Sequence, residues 1–227
     1  MDKDLEKSVQ EEFFRRRKSE LKDFEKTITV GFPVYDEKEV LAALDCLLNL
    51  RLSQGPVVKQ FEKEASEYMG VPHAVAVNSG TSANMLALAS LINLGMIEPG
   101  DEVIVPAATF SSVVSPIYQL GLVPVYVDVD ETDWFMSVDE VSKAISSKTK
   151  VIMPVYNLGF PGEIEKIVDI ADDKNLKILE DCCEAHGGER KGIKLGAYGD
   201  LSALSFFVAH NITTGEGGMV FSSDEEI

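Results

Sequence analysis

The chain has 227 residues, 45% of them hydrophobic, and carries 38 acidic against 21 basic side chains for a formal net charge of −17. That length and composition suit a globular chain with room for one large domain or two small ones. So acidic a surface repels nucleic acid and anionic membrane alike, which excludes non-specific binding to either.

The N-terminal stretch "MDKDLEKSVQEEFFRRRKSELKDFEK" has no apolar centre of the kind a signal peptide needs, and no run of eighteen apolar residues follows it. Cys46, Cys182 and Cys183 are too few, and two of them too close in sequence, for a disulfide framework. A reducing, cytoplasmic setting is therefore expected. Residues 1–27 read as a charged helix or arm, and "TITVGFPVY" as a short extended piece.

In "DEKEVLAALDCLLNL" the apolar Val40, Leu41, Leu44, Leu47 and Leu48 recur at helical spacing. A second amphipathic helix, "GPVVKQFEKEASEYMG", ends at Gly70 as its C-cap. From residue 74 onward short apolar runs alternate with amphipathic stretches. "AVAV", "EVIVP", "VPVYVDV", "KVIMPVY" and "LKILED" read as strands; "SANMLALASLINLG", "SSVVSPIYQLG", "SVDEVSKAISS" and "EIEKIVDIADDKN" read as helices. "DLSALSFF" and "GGMVFSS" add two strands. This alternation predicts crossover units and a mainly parallel, two-sided sheet.

In such sheets ligands bind outside the carboxyl ends of the strands, so the residues after each apolar run carry the information. After "AVAV" comes "NSGTSAN", where Gly80, Thr81 and Ser82 open a helix; free N–H groups and hydroxyls there suit an anion, although a plain Ser-capped turn has the same look. After "EVIVP" stands Phe110, a ring able to stack on a flat ligand or simply to fill the core. After "LKILE" comes Asp181, a carboxylate placed to hold a protonated ring nitrogen or to cap a loop. After "DLSAL" come Ser205 and the loop "FFVAHNITTGEGG", which presents His210. An anion site, a stacking ring, a carboxylate and a presented side chain at one sheet edge are the parts of a pyridoxal-phosphate site.

The motifs "FEKEASEYMGVPHAVAVNSGTSANMLAL", "PGDEVIVPAATF", "GLVPVYVDVD", "ILEDCCEAHGG", "GDLSALSFF" and "ITTGEGG" resemble those of the DegT/StrS family of sugar-nucleotide aminotransferases, vitamin B6 enzymes of fold type I. The resemblance runs from about Ile28 to the last residue. It implies an α/β fold: the large domain of a fold-type-I PLP-dependent transferase, a mostly parallel seven-stranded sheet with helices on both faces. Residues 28–227 would be that cofactor-binding domain, and the smaller C-terminal domain of the family has no counterpart in this sequence. By the same resemblance Gly80, Thr81, Ser82 and Ser205 hold the cofactor phosphate. Phe110 stacks on the ring, Asp181 pairs with the ring nitrogen, and Glu184 takes the place of a family glutamine near the ring hydroxyl.

His210 departs from the aminotransferase pattern, standing where those enzymes carry the Schiff-base lysine. Histidine has no primary amine for that bond, but it moves protons near neutral pH. "VAHNITTGEGG" matches instead the family's 3-dehydratases, which act on a nucleotide-linked 4-keto-6-deoxyhexose with pyridoxamine 5′-phosphate. The expected activity is therefore C3-dehydration in deoxysugar biosynthesis, for a lipopolysaccharide O-antigen or a glycoside, by a homodimer. The alternatives are a protein that binds but does not transaminate, an inactive fragment, or an ordinary transaminase; for the last, Lys191 and Lys194 precede His210, but the family pattern gives neither a reason to reach the cofactor. One dehydratase branch hands its product to a reductase partner and carries a [2Fe-2S] cluster. Its first cluster cysteine falls at Cys183, but the other three would lie past Ile227, so a buried free thiol is the preferred reading of Cys183.

Overall fold

A computed structural model describes the backbone of residues 2–24, 31 and 33–227, and of the side chains in the first helix those up to residue 18. The extended piece expected around 27–35 falls largely outside the described residues. The charged N-terminus is a helix, α1 (Lys3–Phe24), and its arginines pair within it, Arg15 and Arg16 with Glu12. It packs on the next helix and the segment before it, where Phe13 lies 5.9 Å from the Tyr35 ring and Arg17 donates to the Tyr35 carbonyl.

Helix α2 (Glu37–Leu48) begins with a capping box: the Asp36 carboxylate accepts from Lys38 N–H at 2.8 Å, and Glu39 accepts from Asp36 N–H at 2.7 Å. Asp36→Ala is expected to cost about 1 kcal/mol, read as a lower urea midpoint at unchanged slope, and Asp36→Ser much less. Helix α3 (Pro56–Met69) starts with proline, whose missing N–H costs nothing there, and stops at Gly70 in the left-handed region (φ 77°).

The remaining elements alternate as expected. They are β1 (His73–Val77), α4 (Gly80–Asn93), β2 (Glu102–Pro106), α5 (Ser111–Gln119), β3 (Val123–Val127), α6 (Val138–Ala144) and β4 (Thr149–Ile152). Then come α7 (Ile164–Lys174), β5 (Lys177–Asp181), a two-residue hairpin of β6 (Glu189–Arg190) with β7 (Ile193–Lys194), β8 (Leu201–Ser205) and β9 (Gly218–Ser222). Seven strands form one sheet in the order β1-β9-β8-β5-β4-β2-β3. Pairing is parallel from β3 to β8; β9 runs antiparallel to β8 and to β1 on its other side. The sheet is thus mostly parallel, with one reversed strand inserted near its end.

Both faces are covered, which explains why the strands read as continuous apolar runs. Alternate residues serve opposite cores: Ile104, Ile152 and Phe221 join α6 and α7 on one side, while Val103, Val151 and Val220 join α4 and α5 on the other. One carboxylate sits inside the first core. Glu180 is fully buried and accepts from Tyr156 O–H and from the N–H groups of Gly196 (2.9 Å), Tyr198 (2.8 Å) and Gly199 (2.7 Å). Burial pushes Glu180 up while these donors pull it back, and the same carboxylate helps keep the Tyr156 hydroxyl protonated. Glu180 thereby ties the end of β4 and the turn before β8 to β5, next to the residue that faces the ligand side.

Candidate active site

The carboxyl ends of the parallel strands open on a cleft of about 560 Å³. Gly80 and Thr81 line it after β1, Phe110 after β2, and Asp181, Cys183 and Glu184 at and after β5. Ser205 and His210 line it after β8. Residues spread over more than a hundred positions of sequence therefore meet at one place, because a parallel sheet brings every strand's carboxyl end to the same edge.

At the β1–α4 turn, Ser79 caps the helix. Its Oγ accepts from Ser82 N–H at 3.1 Å and donates to Ser82 Oγ at 3.0 Å, and its carbonyl accepts from Ala83 N–H. Ser82 is thus engaged within the turn and does not line the cleft. That leaves Gly80 and Thr81, whose N–H groups open the helix and find no acceptor within it. The turn is also crowded from below: a Cβ at Gly80 would lie 2.6 Å from Ser205 Cβ and 2.8 Å from Cys183 Sγ. Glycine lets β8 and the turn approach this closely.

Asp181 is buried at the last position of β5. Its Oδ2 accepts from Asn84 Nδ2 at 2.7 Å and its Oδ1 from Cys183 N–H at 3.0 Å. Each oxygen keeps lone-pair capacity for a donor in the cleft. Asn84 was missed in the sequence, although an asparagine on the apolar face of a helix is a usable signal. It is wholly buried, and its own Oδ1 has no partner. Phe110, the residue before α5, exposes 67% of its surface toward the opening, a large apolar area for a ring on a rigid element.

Tyr156, Asn157 and Leu158 form a wall of the cleft that sequence reasoning also missed, though they too follow a strand. Glu184 accepts from the Leu158 N–H at 2.8 Å, and Leu158 is held at φ 55°, a left-handed conformation uncommon for leucine. Asn157 Nδ2 donates to the Ala108 carbonyl at 3.0 Å, locking this wall to the β2–α5 loop.

His210 sits in a tight turn, its N–H donating to the Phe207 carbonyl at 3.0 Å. The following Thr-Thr-Gly segment is pinned back to Phe206 by Thr214 N–H and Thr213 Oγ1. Burial lowers the His210 pKa, and the carboxylates of Glu184 and Asp181 oppose that shift. The imidazole is neutral at pH 7 and able to accept a proton. Lys191 and Lys194, the nearest upstream amines in sequence, do not line the cleft: Lys191 pairs with Glu165 at 3.1 Å and Lys194 covers the Tyr68 ring at 4.1 Å.

The donor set fits a phosphorylated pyridine: an anion cradle that a Cβ at Gly80 would fill, an exposed ring, and a buried carboxylate with open lone pairs. Among the described residues no three His, Cys, Asp or Glu side chains are grouped as for a metal, and burial, with the Asp181 carboxylate, pushes the Cys183 thiol up. Nor is any described helix long and apolar enough to cross a membrane.

Comparison with known proteins agrees with this geometry. The chain is 41% identical over 203 residues to GDP-perosamine synthase of Escherichia coli O157:H7, covering 89% of this chain and 55% of that protein. It is 38% identical over 206 residues to GDP-4-keto-6-deoxy-D-mannose 3-dehydratase of Yersinia pseudotuberculosis, covering 88% and 52%. The solved structure of the E. coli GDP-4-keto-6-deoxy-D-mannose-3-dehydratase with bound hydrated PLP superposes with a TM-score of 0.84 at 31% identity, over 88% of this chain and 52% of that one. The chain spans about half the length of the curated relatives it matches. Residues 33–227 match the DegT/DnrJ/EryC1/StrS aminotransferase family throughout, and the chain belongs to that family.

Proposed function

We propose that this chain is the cofactor-binding domain, residues 28–227, of a B6-dependent lyase that removes the C3 hydroxyl from a nucleotide-linked 4-keto-6-deoxyhexose. The observation that carries the reading is His210: among the described residues a neutral imidazole, and no lysine, faces the cleft beside Asp181 and Glu184. Pyridoxamine phosphate, when bound, supplies an amine for the C4 ketone and a ring that draws off electrons.

The chain's own residues do the rest. The Gly80 and Thr81 N–H groups and the Ser205 hydroxyl bind the phosphate. Phe110 covers one face of the ring and excludes water from it. Asp181, held by Asn84, keeps a proton on the ring nitrogen. His210 takes a proton from the C4′ carbon and returns one to the departing C3 hydroxyl, which leaves as water. Glu184 orients the cleft wall through Leu158. The same reading makes the full enzyme a cytoplasmic homodimer in lipopolysaccharide or glycoside deoxysugar synthesis, closed by a further domain.

The test is product mass. The chain, and a version extended past Ile227, are incubated with pyridoxamine phosphate and GDP-, CDP- and dTDP-linked 4-keto-6-deoxyhexoses. Loss of one sugar oxygen is expected, falling on the order of a hundredfold or more in His210→Asn. A product that gains nitrogen at C4 with its C3 oxygen intact would instead establish transamination and overturn the dehydratase reading.

A further inference from the structure

Beside His210 lies a second imidazole for which the proposed chemistry has no use. His186 follows β5 in the turn 182–188, its ring 5.8 Å from Phe206 and 6.1 Å from the His210 ring, tilted 49° to the latter. Its Nδ1 and Nε2 are both buried; neither makes a hydrogen bond of good geometry among the described residues, although the Ser205 backbone interacts with the ring and favours a proton on it. A phenyl ring would pack on Phe206 without burying a second ring nitrogen that the backbone cannot also engage, so packing alone does not account for a histidine here.

We propose that His186 is a positioning residue for His210: the N–H of the His210 ring donates through one water to the unprotonated nitrogen of His186, and this fixes which His210 nitrogen faces the cleft. The inference rests on the reading of His210 as the acid–base group. The ring separation is too long for a direct N–H···N bond, whose nitrogens lie about 2.9 Å apart, and suits a single bridging water. The arrangement is the base-and-orienter pairing seen wherever a proton carrier must hold one tautomer.

The surroundings decide which ring carries charge. Burial, with a contribution from His210, lowers the His186 pKa to about 4. Among the described residues the Ser205 backbone, at the end of β8, is the one contact that favours a proton on the ring, and it does not offset the burial. His210 instead faces Glu184 and Asp181, which favour its charged form, and shares the cleft with Glu216 and the protonated Cys183. A proton arriving from the cleft therefore stays on His210, while His186 remains a neutral acceptor.

The chain holds three histidines, His73, His186 and His210, so ¹⁵N-histidine spectra are assignable by single substitution. In a titration of the native chain without sugar, a His186 nitrogen is expected to shift at the His210 midpoint while His186 itself stays neutral. His186→Phe should lower the His210 midpoint by roughly one pH unit and mix its tautomers, because an acceptor to the imidazolium is lost. His186→Gln, which keeps an acceptor, should hold the midpoint near the native value. An unchanged His210 midpoint and tautomer in folded His186→Phe overturns the proposal. So does a His186 signal in the native chain that ignores the His210 titration, a result that stands even if the phenylalanine variant fails to fold. No turnover is involved, so sugar returned unchanged would sink the dehydratase reading and leave this coupling intact, and the reverse also holds.

Discussion

Gly218→Ala is expected to destabilise the fold by about 3 kcal/mol or more. Gly218 opens β9 and pairs with Val77 of β1 on one side and Ser205 of β8 on the other. A Cβ there would stand 2.3 Å from the Ser79 carbonyl oxygen, 2.4 Å from its carbon and 2.8 Å from Gly80 N. All three are backbone atoms of the capped turn that starts α4, so no flexible side chain can yield. Either β9 leaves its place between two strands or the β1–α4 turn is pushed into the cleft. Gly215→Ala is the control: its φ is 82° with nothing within 4 Å of the added carbon, so it meets only the left-handed backbone penalty of about 1 kcal/mol. Urea unfolding of both variants measures the difference. Equal midpoints would mean that the close approach of β9 to the turn is not a tight constraint.

On the proposed reading, His210→Lys should change cofactor retention from non-covalent to one covalent pyridoxal phosphate per chain. The residue lines the cleft together with Asp181 and Glu184, so a lysine at the same backbone position can bring its amine to the cofactor carbonyl. Borohydride reduction followed by intact mass should then show a stable adduct on the variant and none on the native chain. Dehydration should vanish in the same protein, because an amine consumed in that bond no longer shuttles the C4′ proton. A folded variant that binds pyridoxal phosphate reversibly yet yields no adduct would show that residue 210 does not face the reacting carbon.

Much of this architecture was legible in the sequence, for a physical reason. Strands buried on both faces must be apolar throughout, so each stood out as a short run, and the two-sided sheet followed from their alternation with helices. The residues after those runs then pointed to one edge. The reversal of β9 was not legible: nothing in "GGMVFSS" distinguishes an antiparallel strand from a parallel one when both faces are buried. Ser82 illustrates a finer limit. Its hydroxyl is one of several at the helix start, and only the geometry of the cap shows that Ser79 engages it. Asn84 and the Tyr156–Leu158 wall were readable in principle, one as a polar residue on an apolar helix face, the other as one more strand end. The tie of Thr213 and Thr214 back to the Phe206 carbonyl, which shapes the loop that carries His210, is announced by no local pattern.

The insertion of β9 between β1 and β8 also sets an order of events during synthesis. His73 pairs with Ser222 and Val77 with Gly218, so the strand that leads into the β1–α4 turn has no sheet neighbour until the chain has been made almost to residue 222. Everything from β2 to β8 can pair while still being translated, each strand finding a parallel partner among those already present. The first strand must wait for the last, across a span that makes this closure slow and leaves the apolar edge of β8 bare in the interval. A nascent chain halted before β9 should therefore bind no cofactor and should seek the company of chaperones, with cofactor capture marking the moment at which the fold closes.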